Sequence, residues 1–306
     1  MTERDRAWPE LSLATWEPTY LTLHRWTQIA GKIRLALSPW MNHWWQVPLY
    51  VTSEGLTTTS MPYRERHITI TFDFCAHYLV ATASDNRRDG FELEPMSVAD
   101  FHRNVMALLA RLDVEVTIWP VPVEVVDTTP FPDDRNHASY DREQVERLHR
   151  LLLSAARVFA RHRGRFLGKS SPVHFFWGAF DLAVTRFSGR PNPTPPEDAM
   201  MREAYSHEVI SHGFWPGGDW PVGGRMEEAV FYAYAVPAPA GFSDAAIAPP
   251  AASWSPGFGE FVLPYRDVRA AGDPDSLLLE FMESTYLAAA TRAGWDVGSL
   301  RHPRAP

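Results

Sequence analysis

The segment "GRFLGKSSPVHFFWGAFDLAVT" (164–185) resembles an earlier segment, "GKIRLALSPWMNHWWQVPLYVT" (31–52), and this similarity indicates how the chain is organised. With Gly31 placed on Gly164, the two align without a gap, and seven of their 22 positions are identical. The shared residues include a Ser-Pro pair, a tryptophan and a Leu-x-Val-Thr run. Self-similarity of this kind is typical of a duplicated structural unit. The sequence therefore predicts two related halves.

Similar elements are predicted around both copies. Apolar residues at three-to-four spacing predict a helix before each Ser-Pro, and proline favours a helix end there because the preceding residue avoids helical angles. Asp141 and Asp273 are suited to cap two of the helices. Alternating residues predict an antiparallel hairpin at 67–74 and 78–84, and further patterns predict an aromatic strand after each Ser-Pro, a strand at 229–236 and helices at about 97–112 and 274–293. Each half thus reads helix, antiparallel strands, helix, so we predict an α+β fold.

The predicted boundaries follow from this pattern. Residues 1–119 form the first α+β repeat, 120–138 a linker rich in Pro and Asp, and 139–306 the second repeat. The second repeat is longer because of an insertion at 188–225, which is too aromatic for simple disorder. Long insertions in compact domains are often functional loops, so we expect this one to roof a cleft near the junction of the halves.

Composition narrows the classes of partner and compartment. A net charge of −8 without a Lys/Arg block argues against nucleic-acid binding, which needs a cationic surface. A single cysteine, Cys75, excludes an intramolecular disulfide and a multi-cysteine zinc site. No apolar stretch suits a signal peptide or a membrane span, so we expect a cytoplasmic protein with no membrane partner. Cofactor and oligomeric state remain undetermined at this point.

Five motifs carry a resemblance that spans nearly the whole chain. They lie at Trp26 to Leu37, Asn42 to Thr52, His137 to Asp141, Gly168 to Arg190 and Glu203 to Gly217. Through them the chain resembles a family of uncharacterised bacterial proteins that is catalogued as a domain of unknown function. The resemblance implies no activity, cofactor or catalytic residue, and His212 stands outside the family pattern.

Residues that break the duplication are the better functional candidates. His174, Asp181 and Arg186 align with Met41, Pro48 and Ser53, so the repeat does not explain them. The segment "HEVISH" (207–212) suggests zinc, but its histidines are five residues apart instead of four, which separates them on a helix or a strand. A metal held by His207 or Glu208 with His43 or His174 is left open. The sequence has no Gly-x-Ser-x-Gly elbow and no phosphate loop.

Three hypotheses follow for the function. The first is an enzyme acting on a small polar or anionic substrate, with His174, His207, Glu208 and Asp181 as catalytic candidates. The second is a non-catalytic binder with an aromatic pocket, and the third an interaction scaffold that uses the Trp-rich insertion. The candidate ligand-binding residues are Lys169, Arg186, Trp177, His43, His137, Tyr140, Tyr205 and Trp215. A small-molecule ligand is the expected partner.

Overall fold

A computed structural model describes residues 6–221 and 224–303 of the chain. Its first half begins with helix α1 (Leu13–Leu37) and a 3-10 turn (Asn42–Trp44), and ends with helix α2 (Val98–Arg111). Between them lie β1 (Tyr50–Val51), β2 (Gly55–Thr57), β3 (Met61–Tyr63), β4 (Arg66–Asp73), β5 (Tyr78–Ala83) and β6 (Arg88–Glu92). These strands form an antiparallel sheet in the order β1-β2-β4-β5-β6, with β3 paired to β4.

The second half begins with helix α3 (Arg142–Gly164) and contains a second six-stranded antiparallel sheet, in the order β13-β14-β12-β9-β8-β7. Its strands are β7 (His174–Phe176), β8 (Asp181–Pro191), β9 (His207–Trp215), β12 (Val230–Val236), β13 (Ser253–Ser255) and β14 (Glu260–Pro264). A short hairpin, β10 (Gly218–Asp219) and β11 (Arg225–Met226), stands apart. The remaining helices are α4 (Ala199–Ala204), α5 (Tyr265–Ala270), α6 (Pro274–Arg292) and α7 (Val297–Leu300).

Local sequence signals account for the main elements, and the predicted α+β class is confirmed. The Asp141 carboxylate accepts backbone N–H bonds at the start of α3, and the Asp273 carboxylate does the same for α6, whose first residue is Pro274. β4 and β5 pair as the predicted hairpin. The order helix, antiparallel strands, helix occurs in both halves, while the duplication itself stays a prediction.

The two halves share one continuous apolar core. Buried side chains of the first half, such as Trp26 and Phe101, belong to the same cluster as Phe159 and Phe231 of the second half. The two sheets also meet through a pair of backbone hydrogen bonds between Leu49 and Phe175, with N···O distances of 2.8 and 2.9 Å. The halves are therefore parts of one folded body.

The second sheet has two chemically different faces. Helices α3 and α6 pack on the face that carries Phe231, Arg186 and His212, as contacts with Phe159, His162 and Thr285 show. Because side chains alternate along a strand, the other face carries His174, Asp181, Thr185, Ser211 and Tyr232. We call this second surface the outer face.

Three expectations about the second half are wrong in detail. Helix α3 ends at Gly164 and not at Ser171, because glycines at 164 and 168 weaken helix propensity and Phe166 pairs with Arg301. The stretch after Ser171 forms two strands, β7 and β8, joined by a turn in which Phe180 has φ of 59°.

The third correction concerns the 188–225 insertion, which was expected to be a loop that roofs a cleft. Part of it instead forms a strand of the second sheet. Residues 207–215 form β9, which lies between β8 and β12 inside the sheet. The alternation of Val209, Ser211 and Gly213 is weak as a strand signal, since glycine and serine favour loops when judged locally. Pairing on both sides supplies the backbone hydrogen bonds that make this segment a strand.

Candidate functional site

The centre of the outer face is lined by small side chains. Ala183 lies opposite Gly213, and Thr185 lies opposite Ser211, on the neighbouring strands β8 and β9. The Thr185 and Ser211 hydroxyls are hydrogen-bonded at 2.8 Å. Ala183 and Ser211 are buried, and the Tyr232 ring covers Gly213, where a Cβ would be 2.1 Å from Cζ of the ring, so larger side chains cover this strip and separate two chemically distinct ends of the face.

His174 is the most unusual residue at the first end. Its side chain is only 1% exposed, yet neither ring nitrogen has a hydrogen-bond partner. The half-buried rings of Trp45, Tyr50 and Phe176 surround it, with centroid separations of 5.8, 5.5 and 5.4 Å. Burial, together with the positive charges of Arg34 and Arg163, lowers the pKa of His174 to about 3. The imidazole is therefore neutral at pH 7 and can offer one donor and one acceptor.

Arg34 adds a second unsatisfied group to this end. Its side chain is buried, its Nη1 donates to the Thr59 hydroxyl at 2.7 Å, and its Nε has no partner. The guanidinium lies 5.5 Å from the centre of the Tyr50 ring. Among the described residues no carboxylate pairs with it, although buried charges are normally paired. This end of the outer face is thus rich in positive charge.

A lysine–histidine pair borders the same end. The Lys169 ammonium lies 2.6 Å from Nε2 of His43. It also lies 5.2 Å from the centre of the Trp45 ring and 5.0 Å from the centre of the Phe187 ring. An ammonium can only donate, so Nε2 of His43 accepts and Nδ1 donates to the Ala204 carbonyl at 3.2 Å. Burial and the Lys169 charge lower the pKa of His43, and partial burial lowers the pKa of Lys169.

The backbone around His43 is strained. His43 and Trp44 have φ of 60° and 59°, a left-handed conformation that is uncommon for residues other than glycine. Glu203 of α4 accepts a hydrogen bond from the His43 backbone N–H, and the His207 ring lies 5.7 Å from the His43 ring. Such strain clusters at functional sites because the surrounding structure has to hold it in place.

The opposite end of the outer face is acidic. Tyr232 donates its hydroxyl hydrogen bond to Asp181, whose pKa burial raises to about 7. Burial and the nearby Asp181 raise the pKa of Glu260 to about 8, and burial raises the pKa of Glu124. Glu124 is nonetheless exposed and Glu260 half-exposed, so both carboxyl groups are accessible to solvent.

Aromatic hydroxyls and rings complete the acidic end. The Tyr205 and Tyr234 hydroxyls are hydrogen-bonded at 2.9 Å, and the rings of Tyr232 and Tyr234 are stacked with centroids 6.0 Å apart. Burial, together with the negative charges of Glu260, Asp181 and Glu124, raises the pKa of Tyr205 to about 12. Trp215 packs near Trp220 and Phe258 at the rim.

Comparison with known proteins identifies a family but no activity. The model of a family of unknown function, DUF5996, matches residues 8–302. The chain belongs to DUF5996. No curated protein and no solved structure gives a significant match.

The structure brings together several of the predicted site residues of this DUF5996 member. His174, Lys169, His43 and His207 lie along one end of the outer face, and Asp181, Tyr205 and Trp215 along the other. The chain of ring contacts from His174 through Trp45 and His43 to His207 connects the first group.

Five other predicted residues lie elsewhere. Glu208 points away from the outer face and pairs with Arg190 at 2.7 Å, and Arg186 pairs with Glu283 at 3.1 Å on the helix-covered face. Trp177 packs on Gly31 and donates to the Val47 carbonyl. Tyr140 is hydrogen-bonded to His77 in the core, and His137 pairs with Asp134 beside a cavity of about 310 Å³ near Glu17 and Pro18.

Sequence reasoning missed the partners that come from distant segments. Arg34, Tyr50 and Trp45 complete the basic end, while Glu124, Tyr232 and Glu260 complete the acidic end. Only Tyr232 carried a usable signal, because it is a polar aromatic residue that alternates with apolar residues in a predicted strand. Among the described residues no group of three His, Cys, Asp or Glu side chains is arranged to hold a metal ion.

Proposed function

We propose that this protein binds a small polar or anionic molecule at the junction of its two halves, with His174, Arg34 and Lys169 as the recognising groups. The observation that carries the proposal is His174, a buried imidazole with both nitrogens unpaired. An unpaired buried polar atom costs about 1–3 kcal/mol, so a site that keeps one is expected to gain a compensating partner.

The charge around His174 selects an anion as that partner. Arg34 and Arg163 both act on the imidazole electrostatically, and Lys169 lies nearby in the chain of ring contacts. A carboxylate or phosphate oxygen can accept from the imidazole N–H and the Arg34 Nε–H together. Half-buried rings of Trp45 and Tyr50 separate His174 from solvent, so one of them rotates when the ligand enters.

Binding is better supported than acid–base catalysis by His174. A general base works best when its pKa lies near the working pH, and a pKa of about 3 makes the imidazole a weak base. The interaction-scaffold alternative loses support because Trp215 is buried and Trp220 packs against Phe258. If the protein transforms its ligand, His207 is the better acid–base candidate, since it is half-buried and near the His43–Lys169 pair.

The test is a calorimetric titration of the full chain with acetate, hexanoate and inorganic phosphate at constant ionic strength, with chloride as the reference anion. We expect at least one carboxylate or phosphate to bind, and His174→Phe and Lys169→Met to weaken that binding roughly tenfold or more. The matched control is His67→Gln, a histidine on the exposed side of the first sheet. Failure of all three anions to bind, or equal binding by His174→Phe, would contradict the proposal.

A further inference from the structure

We propose that the cavity beside His137 is a second binding site, which takes a neutral molecule with a hydroxyl group and an apolar body. The hydroxyl group donates a hydrogen bond to Nε2 of His137, and the apolar body lies against α1. This site goes beyond the proposed function, because it shares no residue with the anion site at His174.

The cavity lies between the first half of α1 and the segment that precedes α3. Glu17, Pro18 and Leu21 of α1 form one wall, and residues 136–139 form the other. Its volume of about 310 Å³ is at the lower end of the range for small-molecule sites. Pro18, Leu21 and Ala138 provide aliphatic surface, which suits the apolar body of a ligand.

His137 is the lining residue whose hydrogen bonding leaves an acceptor available. Its Nδ1 lies 2.8 Å from Oδ2 of Asp134, a carboxylate that is 0% exposed and pairs with Arg25 at 3.3 Å. Because the carboxylate can only accept, Nδ1 of His137 carries the hydrogen and the neutral ring keeps its lone pair at Nε2. Nε2 has no hydrogen-bond partner among the described residues, and 16% of the side chain is exposed. An imidazole that a buried aspartate orients in this way presents a fixed acceptor to a ligand.

Hydrogen bonds hold the 136–139 segment in place, so the wall that carries His137 is preformed. The Ser139 backbone N–H donates to the Thr22 hydroxyl of α1 at 3.1 Å. The His137 carbonyl accepts from the Val98 backbone N–H at the start of α2, at 3.0 Å. A preformed acceptor loses little conformational freedom when a ligand binds, and this favours affinity.

The charges at the cavity favour a neutral ligand over an anion. Among the described residues that line it, Glu17 is the one carboxylate, and no Arg or Lys is present. Glu17 pairs with Arg225 at 2.8 Å, so its charge is already balanced. Arg225 also pairs with Asp219 and Glu227, so it is not free to bind an anion. In this respect the cavity differs from the basic end of the outer face.

The test is an NMR titration of the full chain at pH 8 with phenol, toluene and benzoate, three probes of similar size that differ in one group. The ring nitrogen signals of the unliganded protein first report the tautomer, and we expect the Nδ1–H form for His137. Phenol should shift these signals and bind at least roughly fivefold more tightly than toluene, because only phenol donates a hydrogen bond. Benzoate should leave the His137 signals unchanged.

Two leucine variants, followed through the probe signals, isolate the acceptor. His137→Leu removes Nε2, so it should abolish the advantage of phenol over toluene while leaving toluene affinity within about twofold. His67→Leu is the matched control, because His67 is exposed on the first sheet. It should leave the advantage of phenol intact.

Each outcome bears on the proposal directly. An Nε2–H tautomer at His137 overturns it in the wild-type protein, even if His137→Leu does not fold. The proposal also fails if phenol leaves the His137 signals unchanged, or if both leucine variants keep the same ratio of phenol to toluene affinity. A shift of the His137 signals by benzoate would overturn the neutral ligand class. Benzoate binding without that shift supports the anion site at His174, so the two sites are tested separately.

Discussion

At the scale of single residues, His174 differs from the other buried histidines in what it lacks. His149 is also buried, but its Nε2 is hydrogen-bonded to the Thr52 carbonyl at 2.9 Å. His162 and His212 each have one partner, Glu283 and Thr285 respectively. These contacts explain how a core histidine is normally accommodated, and His174 has none of them. We attribute this lack of partners to the role of His174 in binding the proposed ligand.

Because of this contrast, we expect replacement by phenylalanine to have opposite effects on stability at positions 174 and 149. His174→Phe removes two unpaired polar atoms from an aromatic environment, so the free energy of unfolding should increase by about 1 kcal/mol or more. His149→Phe breaks a hydrogen bond and leaves a carbonyl unpaired, so the free energy of unfolding should decrease by about 1–3 kcal/mol. Urea denaturation of the ligand-free protein measures both. A clear loss of stability in His174→Phe would mean that the imidazole supports the core.

At the scale of elements, the two aligned glycines have unlike environments. Gly31 lies inside α1, where a Cβ would be 2.2 Å from Cδ1 of Trp177. The indole is fixed by its hydrogen bond to the Val47 carbonyl at 2.8 Å, so it cannot easily move aside. Gly164 is the last residue of α3, and nothing lies within 4 Å of its Cβ position. The close approach of α1 to the turn after β7 therefore depends on one glycine of the pair.

Alanine substitution at the two glycines should separate these roles. Gly31→Ala is expected to lower the free energy of unfolding by about 1–3 kcal/mol, because the new methyl group overpacks the contact with Trp177. Gly164→Ala should leave stability unchanged or raise it slightly, since the unfolded chain becomes less flexible. Thermal denaturation of both variants measures the difference. Equal effects would show that the Gly31–Trp177 contact does not constrain α1.

At the scale of the whole molecule, two carboxyl groups of the outer face couple stability to pH. The pKa of Glu260 is raised from 4.5 to about 8 and that of Asp181 from 3.8 to about 7, so the folded protein binds these protons more tightly than the unfolded chain. A raised pKa stabilises the fold below the unfolded value, and that contribution is lost as pH increases through the folded value. None of the helices in the described part of the chain is long and apolar enough to cross a bilayer.

We therefore expect the free energy of unfolding to depend measurably on pH. The free energy of unfolding of the ligand-free protein should fall between about pH 4.5 and 8, and Glu260→Gln should make that slope shallower, since glutamine does not titrate. Glu227→Gln serves as the exposed control. Urea denaturation at a series of pH values measures the slopes. A slope that Glu260→Gln leaves as steep as in the wild type would show that Glu260 does not titrate in this range.

Elements with strong local signals could be predicted from the amino-acid sequence. The carboxylate caps at Asp141 and Asp273, the alternation in 67–84 and the helical spacing in α1 each depend on neighbours a few residues apart, so they can be read without the fold. The same reasoning identified His174 and Asp181 as residues that the repeat does not explain. It could not show that β9 lies inside the sheet, because that depends on pairing with β8 and β12.

Which polar residues share a surface depends on contacts between distant segments, so it could not be predicted from the sequence. Arg186 and Glu208 were grouped with His174 from the sequence, but strand alternation places them on the opposite face of the sheet. The outer face also carries Asp181, Tyr232 and Glu260, which come from three different strands. Their position on one face depends on strand register, which is not encoded in local spacing.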